Sequence, residues 1–416
     1  MRRVGYFIVV ASFALPILVA LSGLSGSVEA RNSLLPQGKA VREGREIFRH
    51  DTFGDEQLWT DVLRMHEVIP KAVSPNTALK VGLKVDSQAL PRPIVRALKA
   101  GEVDLDDPAI TVALLQLNAV VGLEGTVDDA GHLTSVGVTC ALCHSTVDDS
   151  FAPGIGRRLD GWPNRDLNVG AIAALSPFFD KDPDTRDVLN RWGPGMYDAR
   201  HHAFDGVNLI VLNPQKPSLP VLIPPIYGLL GVGFETYTGD GPISYWNSYV
   251  GVGQMGGHGT FVDPRIGLNI TQTPDMVTPK LPALLAYQLS LQAPKPRPDA
   301  FNRNAARRGR QLFNGDAGCA GCHQAPHFTD VLSGVGGAAP VLHDPGEVGT
   351  EEDYAARSAT GQYRTTPLRG LVAHPPYFHD GSAPDLAAVV EHYDRQFRLG
   401  LTPAQKADLV EYLKSL

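Results

Sequence analysis

Two five-residue strings, Cys140-Ala141-Leu142-Cys143-His144 and Cys319-Ala320-Gly321-Cys322-His323, hold all four cysteines of this 416-residue chain. Two thiols three positions apart, followed at once by an imidazole, form the C-x-x-C-H pattern of covalent c-type haem attachment. The thiols add to the two vinyl groups of one porphyrin, and the adjacent imidazole reaches the iron. A zinc half-site would leave the His after each second Cys without a reason, and a redox dithiol would want a βαβ surrounding. The expectation is two haems c, bound through Cys140, Cys143, Cys319 and Cys322, with His144 and His323 as proximal iron ligands. No Cys remains for a disulfide.

The ends and the charge set the compartment and exclude partners. Arg2 and Arg3 precede an apolar run from Val4 to Leu21, and Val28-Glu29-Ala30 reads as a cleavage site. Residues 1–30 are therefore an expected export signal, which places the protein in the periplasm, with an uncleaved anchor as the alternative. No later stretch reaches about 18 uninterrupted apolar residues, so no membrane contact is expected after cleavage. A net charge of −7 without a long basic run argues against nucleic acid.

The elements that must position the motifs occur twice. Gly44-Arg45-Glu46-Ile47-Phe48 matches Gly309-Arg310-Gln311-Leu312-Phe313, and Leu284 to Leu291 matches Leu409 to Leu416 as L-x-x-Y-x-x-S-L. Tyr237-Thr238-Gly239-Asp240-Gly241 matches Tyr377-Phe378-His379-Asp380-Gly381. Three matches in one order around each haem motif describe one unit used twice. Each unit reads as an opening helix, the haem motif, loops and a closing helix, with Phe48 and Phe313 expected to meet Tyr287 and Tyr412. The expected fold is mainly α: a haem domain at 31–292, enlarged by long insertions, a Pro-rich linker at 293–299, and a second haem domain at 300–416. Helical patterns cover Glu56 to Val68 and Pro108 to Val120. Gly251-Val252-Gly253-Gln254-Met255-Gly256 matches G-x-G-x-x-G but lacks a βαβ unit, so it reads as a Gly-rich loop.

Whether the sixth iron position is filled decides what a haem does. No Met follows the second motif, which leaves His327, His343, His374, His379, His392 and Tyr393 as candidates for the second haem, His379 foremost. The string match sets Gly239 opposite His379 and Gly253 opposite Tyr393, so the first haem lacks both counterparts. Unless Met196, His201, His202, Met255 or His258 serves it, the first haem is open to a small ligand. Asp160, Asp166, Asp180, Glu235 and Asp240 are candidate proton carriers there, and Trp162, Trp192 and Trp246 are candidate relays.

Thr365 to Leu371, Pro376 to Ser382 and Val389 to Tyr393 together resemble the C-terminal signature of bacterial di-haem cytochrome c peroxidases. They also resemble those of two relatives, the methylamine dehydrogenase maturation enzyme and the di-haem rubber oxygenases. The resemblance is firm over 300–416 and loose before it. It implies two cytochrome c-like domains in a periplasmic oxidoreductase, with a catalytic N-terminal haem, an electron-transfer C-terminal haem, and a calcium ion between domains. It further implies H2O2 or O2 as oxidant and a small redox protein as electron partner. Tyr393 falls where the peroxidases place a Met ligand and the maturation enzyme a Tyr. Arg157, in Gly154-Ile155-Gly156-Arg157, stands where peroxidases carry a His over the first haem, and is the candidate catalytic residue. Arg157 and Arg158 are alternatively partners for haem propionates. The other reading is an electron-transfer cytochrome c without catalysis of its own.

Overall fold

The computed structural model describes residues 38–331 and 340–416; the export signal expected over 1–30 lies outside these. The opening helix α1 (Gly38–His50) turns Gly44, Ile47 and Phe48 into the core. The helix expected over Glu56 to Val68 is instead two pieces, a π-helical turn at Gln57–Val62 and α2 (Met65–Ala72), separated by Arg64 at φ 55°. The break has a cause in hydrogen bonding. Ser176 Oγ donates to the Leu63 carbonyl at 2.7 Å, and Trp59 Nε1 donates to the Met255 carbonyl at 3.0 Å. The Leu63 carbonyl, which a continuous helix would use in its own ladder, is thus satisfied by a distant side chain, and the Trp59 indole anchors the turn to the Gly-rich segment.

Helix α3 (Pro108–Gln116) starts where Asp107 accepts from Ala109 N with Pro108 in the first turn, and stops short of the expected Val120 because Asn118 is left-handed. The antiparallel hairpin β1 (Leu123–Val127) and β2 (Leu133–Val138) delivers the chain to the first haem motif. Immediately after His144, β3 (Ser145–Val147) pairs antiparallel with β4 (Arg158–Asp160), and β5 (Met196–Tyr197) pairs with β6 (Val221–Leu222). Helix α4 (Ile243–Tyr249) runs directly into a buried π-helical turn, Val250–Gln254. The Gly-rich segment is thus helix and not loop: its glycines let the wide turn sit against Val277 and Ile270. Helix α5 (Leu281–Ser290) closes this half, and residues 291–297 form a connector without secondary structure.

Three helices frame the rest: α6 (Arg303–Asn314), capped by Asn302; α7 (Leu386–Phe397), capped by Asp385; and α8 (Pro403–Lys414), with a Thr402/Gln405 capping box. The two expected helix crossings are present with matching geometry. A Cβ on Gly44 would lie 1.9 Å from the Ala283 carbonyl oxygen and 2.8 Å from Tyr287 Cβ; one on Gly309 would lie 2.0 Å from the Asp408 oxygen and 2.9 Å from Tyr412 Cβ. The aromatic contacts follow, Phe48 with Tyr287 at 5.4 Å and Phe313 with Tyr412 at 5.2 Å. Only Gly permits these backbones to approach so closely.

One part of the duplication corrects the string match. In the loop that precedes α4 the bridge is Glu235 to Gly241, and its partner in the other half is Tyr377 to Ala383. Thr236 and Phe378, each the residue after the bridge start, share a positive φ, 61° and 66°. Backbone geometry therefore sets Tyr237, not Gly239, opposite His379. The Y-x-x-D-G identity that suggested Gly239 is two residues out of register.

The halves meet across buried ion pairs. Arg357 Nη1 lies 3.0 Å from Asp198 Oδ2, Arg364 Nη1 lies 3.0 Å from Glu235 Oε2, and Ala359 N donates at 2.8 Å to Asp240 Oδ1, whose ion-pair partner is Arg200 of the same half. Arg200 also stacks between Trp246 and Tyr354. Among the described residues no helix is long and apolar enough to cross a membrane. The glycine crossings give a direct test. Gly44→Ala or Gly309→Ala forces two helices apart, and each is expected to lower stability by about 3 kcal/mol in thermal unfolding, whereas Gly346→Ala, with open space around it and an ordinary φ, costs far less.

Candidate haem sites

Both motif imidazoles are held in the same way. His144 Nδ1 lies 3.1 Å from the Pro224 carbonyl, and His323 Nδ1 lies 2.9 Å from the Phe328 carbonyl. A carbonyl only accepts, so each Nδ1 carries the proton and each Nε2 keeps its lone pair for a metal. Burial acts on the groups around them. It pushes the Cys140 and Cys143 thiols up to about 12 and Cys319 up to about 11, and it lowers His144 to about 4. The thiols are neutral, and the imidazole is neutral with a free lone pair.

Beside the second motif lies a cavity of about 530 Å³ lined by Cys319, Cys322 and His323. Its walls are largely aliphatic and aromatic, the setting that buries a large planar ligand. Arg165, Arg364 and Arg369 also line it, and the buried Nε atoms of Arg165 and Arg364 have no hydrogen-bond acceptor. Orphan guanidinium donors at an apolar cavity suit a carboxylate-bearing ligand such as the two propionates of a haem. In the first unit Arg158 repeats the feature: it is buried beside β3, with Nε and Nη1 lacking a hydrogen bond although Asp86 lies 3.2 Å from Nε. Arg157 does not share this setting. Its side chain is 67% exposed and bound to Asp148 at 2.7 Å.

Of the sixth-ligand candidates in the second half, His343, His374, His379 and Tyr393 line the cavity. They differ in how they are engaged. His379 stacks on Tyr354 at 5.2 Å, and its Nε2 lies 3.4 Å from the Tyr363 hydroxyl and 3.7 Å from Glu351. His343 is held between Asp330 and Glu347, and His392 bonds the Val348 carbonyl. Tyr393, on α7, lies near both Cys319 and Cys322, and its phenol is pushed up to about 12 by burial. In the first half, His201 and His202 meet each other through Nδ1 atoms 2.7 Å apart, and His258 is held by the Pro274 carbonyl. Tyr237, the backbone match of His379, donates its hydroxyl to the Leu222 carbonyl and lines the second cavity.

The acidic candidates separate by use. Asp160 accepts from Arg49 at 2.6 Å, Tyr287 at 2.5 Å and Ser145 at 2.8 Å, tying α1, α5 and the residue after His144 together. Asp166 and Asp180 are exposed partners of Lys84 and Arg186, while Asp240 and Glu235 answer Arg200 and Arg364. Asp55, which the sequence did not single out, is fully buried, bonds only the Val138 amide, and is raised well above the carboxylate range by desolvation. It lies near Cys140 of the first motif. Tyr197 was also missed: it lies near Cys143 and donates to Gln254 of the π-helical turn at 2.9 Å. Neither residue sits in a recognisable string, so only the folded chain brings them to the motif.

Segment 221–229 touches both sites. Pro224 orients His144 and lines the second cavity, Ile226 N donates to Gly161 O at 2.9 Å, and Leu222 N donates to His379 O at 2.7 Å. Arg165 donates to the Ile223 and His374 carbonyls and so joins the halves. A cluster of metal-type donor side chains, Cys322, Asp330 and His343, also lies nearby. With a thiol and an imidazole it is unlike the oxygen shell that calcium takes.

No family model matches the chain. Methylamine utilization protein MauG of Methylorubrum extorquens is 33% identical over 129 residues, 27% of this chain and 34% of that protein. Cytochrome-c peroxidase IdrP1 of Denitromonas iodatirespirans is 29% identical over 149 residues, 27% of this chain and 40% of that protein. The matched segments thus span 34% and 40% of these relatives' lengths. Among solved structures, a MauG-like protein associated with microbial copper homeostasis is 18% identical with a TM-score of 0.37, covering 50% of this chain and 78% of that one. Hydrazine synthase of Kuenenia stuttgartiensis gives 18% and 0.32, covering 49% and 75%.

Paired attachment motifs, carbonyl-held imidazoles and a mainly α framework define a c-type cytochrome. Over 27% of its length the chain is similar to di-haem cytochrome c peroxidase and MauG proteins.

Asp160 offers a check on the first site. Asp160→Ala leaves Arg49 and Tyr287 without their acceptor and is expected to cost about 3 kcal/mol in thermal unfolding, with Asp160→Asn costing less.

Proposed function

We propose that this protein is a periplasmic di-haem oxidoreductase of peroxidase type, with an open reactive haem on His144 and a six-coordinate electron-transfer haem on His323. The observation that carries this reading is the repeated bond from each motif Nδ1 to a backbone carbonyl, which readies both Nε2 atoms for iron. When bound, the haems supply electron storage and activation of H2O2 or O2. Cys140 and Cys143 hold the first and Cys319 and Cys322 the second, in domains 31–292 and 300–416.

The chain's own residues do the remaining work. Asp55, whose affinity for a proton is raised by burial, is the candidate proton source in the first unit, a need of any O–O cleavage. Arg158, with two unsatisfied donors, is a stronger candidate than exposed Arg157 for binding an anionic group there. Tyr393 is the preferred sixth ligand of the second haem, because among the described residues its hydroxyl has no hydrogen-bond partner, whereas His379 Nε2 faces Tyr363 and Glu351. A small redox protein serves as electron partner, and Arg165 takes the joining role between domains.

Carbon monoxide added to the reduced holoprotein is expected to shift the spectrum of one haem and leave the other unchanged. In the parent the unreactive haem is that of the second unit; Tyr393→Phe makes it reactive too. A reduced spectrum wholly insensitive to carbon monoxide favours the electron carrier without catalysis.

A further inference from the structure

On α6, Arg303, Arg307 and Arg310 recur at helical spacing and all three are exposed. Among the described residues none of them meets a carboxylate within ion-pair distance; Arg307 bonds only Asn304, and the neighbouring Arg308 is the one taken by Asp408. The α6 helix contains four Arg and no acid, in a chain of net charge −7.

The duplicate shows that the helix position does not require this. With Gly44 set against Gly309, Arg42 and Arg45 match Arg307 and Arg310, but Glu43 and Glu46 stand where α6 has Arg308 and Gln311. Arg45 pairs with Glu46 at 3.3 Å. The cationic face is thus confined to the second unit.

Beneath that face a shallow groove joins the three Arg side chains to Tyr412 and Ser415 of the closing segment. Tyr412 meets Phe313 edge-on at 5.2 Å, and Phe313 lies 6.3 Å from the His323 ring. Aromatic rings therefore connect the groove floor to the iron-facing imidazole. In the first unit the matching Tyr287 has its hydroxyl bound to Asp160 beside Arg49, and among the described residues no cationic face lies over it.

We propose that the Arg303/Arg307/Arg310 face is the docking surface for a small redox protein whose own contact face is acidic, with Tyr412 and Phe313 carrying the electron inward. One electron leaves the partner's reduced centre, which is oxidised by one unit, and the second site is reduced by one; no bond or proton changes. Complementary charge raises the encounter rate and fixes orientation, and salt screens it. This rests on the reading of His323 as a haem ligand.

The test is calorimetric titration of the holoprotein with an acidic cupredoxin and, separately, a basic cytochrome c. At low ionic strength the acidic probe binds, and the Arg303→Glu/Arg307→Glu/Arg310→Glu variant weakens its Kd by about tenfold or more. Physiological salt weakens the parent complex comparably, and the Arg42→Glu/Arg45→Glu variant leaves it unchanged. An unaltered Kd in the triple variant, or preference for the basic probe, overturns the docking proposal. Rapid mixing at saturating acidic probe tests the path: Phe313→Leu slows electron uptake several-fold at unchanged Kd, and an unchanged rate overturns it. Visible spectra of each variant separate the two readings, since loss of docking with both haem bands intact speaks to the surface, and a missing second band in the parent speaks against the haem assignment itself.

Discussion

A haem-binding imidazole must be aimed, and here the aiming is done by backbone carbonyls. The Pro224 carbonyl holds His144 and the Phe328 carbonyl holds His323, each fixing the proton on Nδ1. Pro224 cannot serve His144 unless segment 221–229 is itself fixed. That segment is held by Gly161 on one side and by His379 on the other, while Arg165 ties Ile223 to His374. The orientation of the first imidazole therefore depends on the second unit being in place. A residue that orients one site and lines the other also brings the two within a short span of protein.

The framework around this constraint is economical. Each unit crosses its first and last helices at a glycine, with an aromatic pair against the crossing. The first unit adds the Asp160 cluster, which binds both crossing helices to the residue after His144. Among the described residues the second unit shows no such cluster beyond the Arg308–Asp408 pair, and the other three Arg of its α6 helix meet no carboxylate above the aromatic pair. Identical attachment chemistry is thus set in two different electrostatic surroundings, which is the physical basis for giving the two sites different work.

Much of this was legible in the sequence because it is local. The C-x-x-C-H strings, the Gly-x-x-x-Phe helix openings and the L-x-x-Y-x-x-S-L closings each bring their meaning within a few residues. The crossings at Gly44 and Gly309 follow from matching those strings. Other features were hidden because they depend on backbone geometry or distant partners. The register of the Tyr237 turn is set by positive φ at Thr236 and Phe378, and not by shared letters. The π-helical turn at Val250–Gln254 looked like a loop because its glycines, read alone, suggest one. Of the adjacent pair Arg157 and Arg158, only the pairing of β4 with β3 buries the second. Pro224 acts through a carbonyl that every residue has, and so leaves no trace in sequence.

The central claim, that each Cys pair with its carbonyl-held imidazole carries a haem, is tested most directly by intact-protein mass and haem stoichiometry. The account predicts two covalent haems per chain in the parent, one in Cys140→Ala/Cys143→Ala and one in Cys319→Ala/Cys322→Ala. A parent chain carrying free thiols at either pair, or a single haem lost by only one of the double variants, would contradict it.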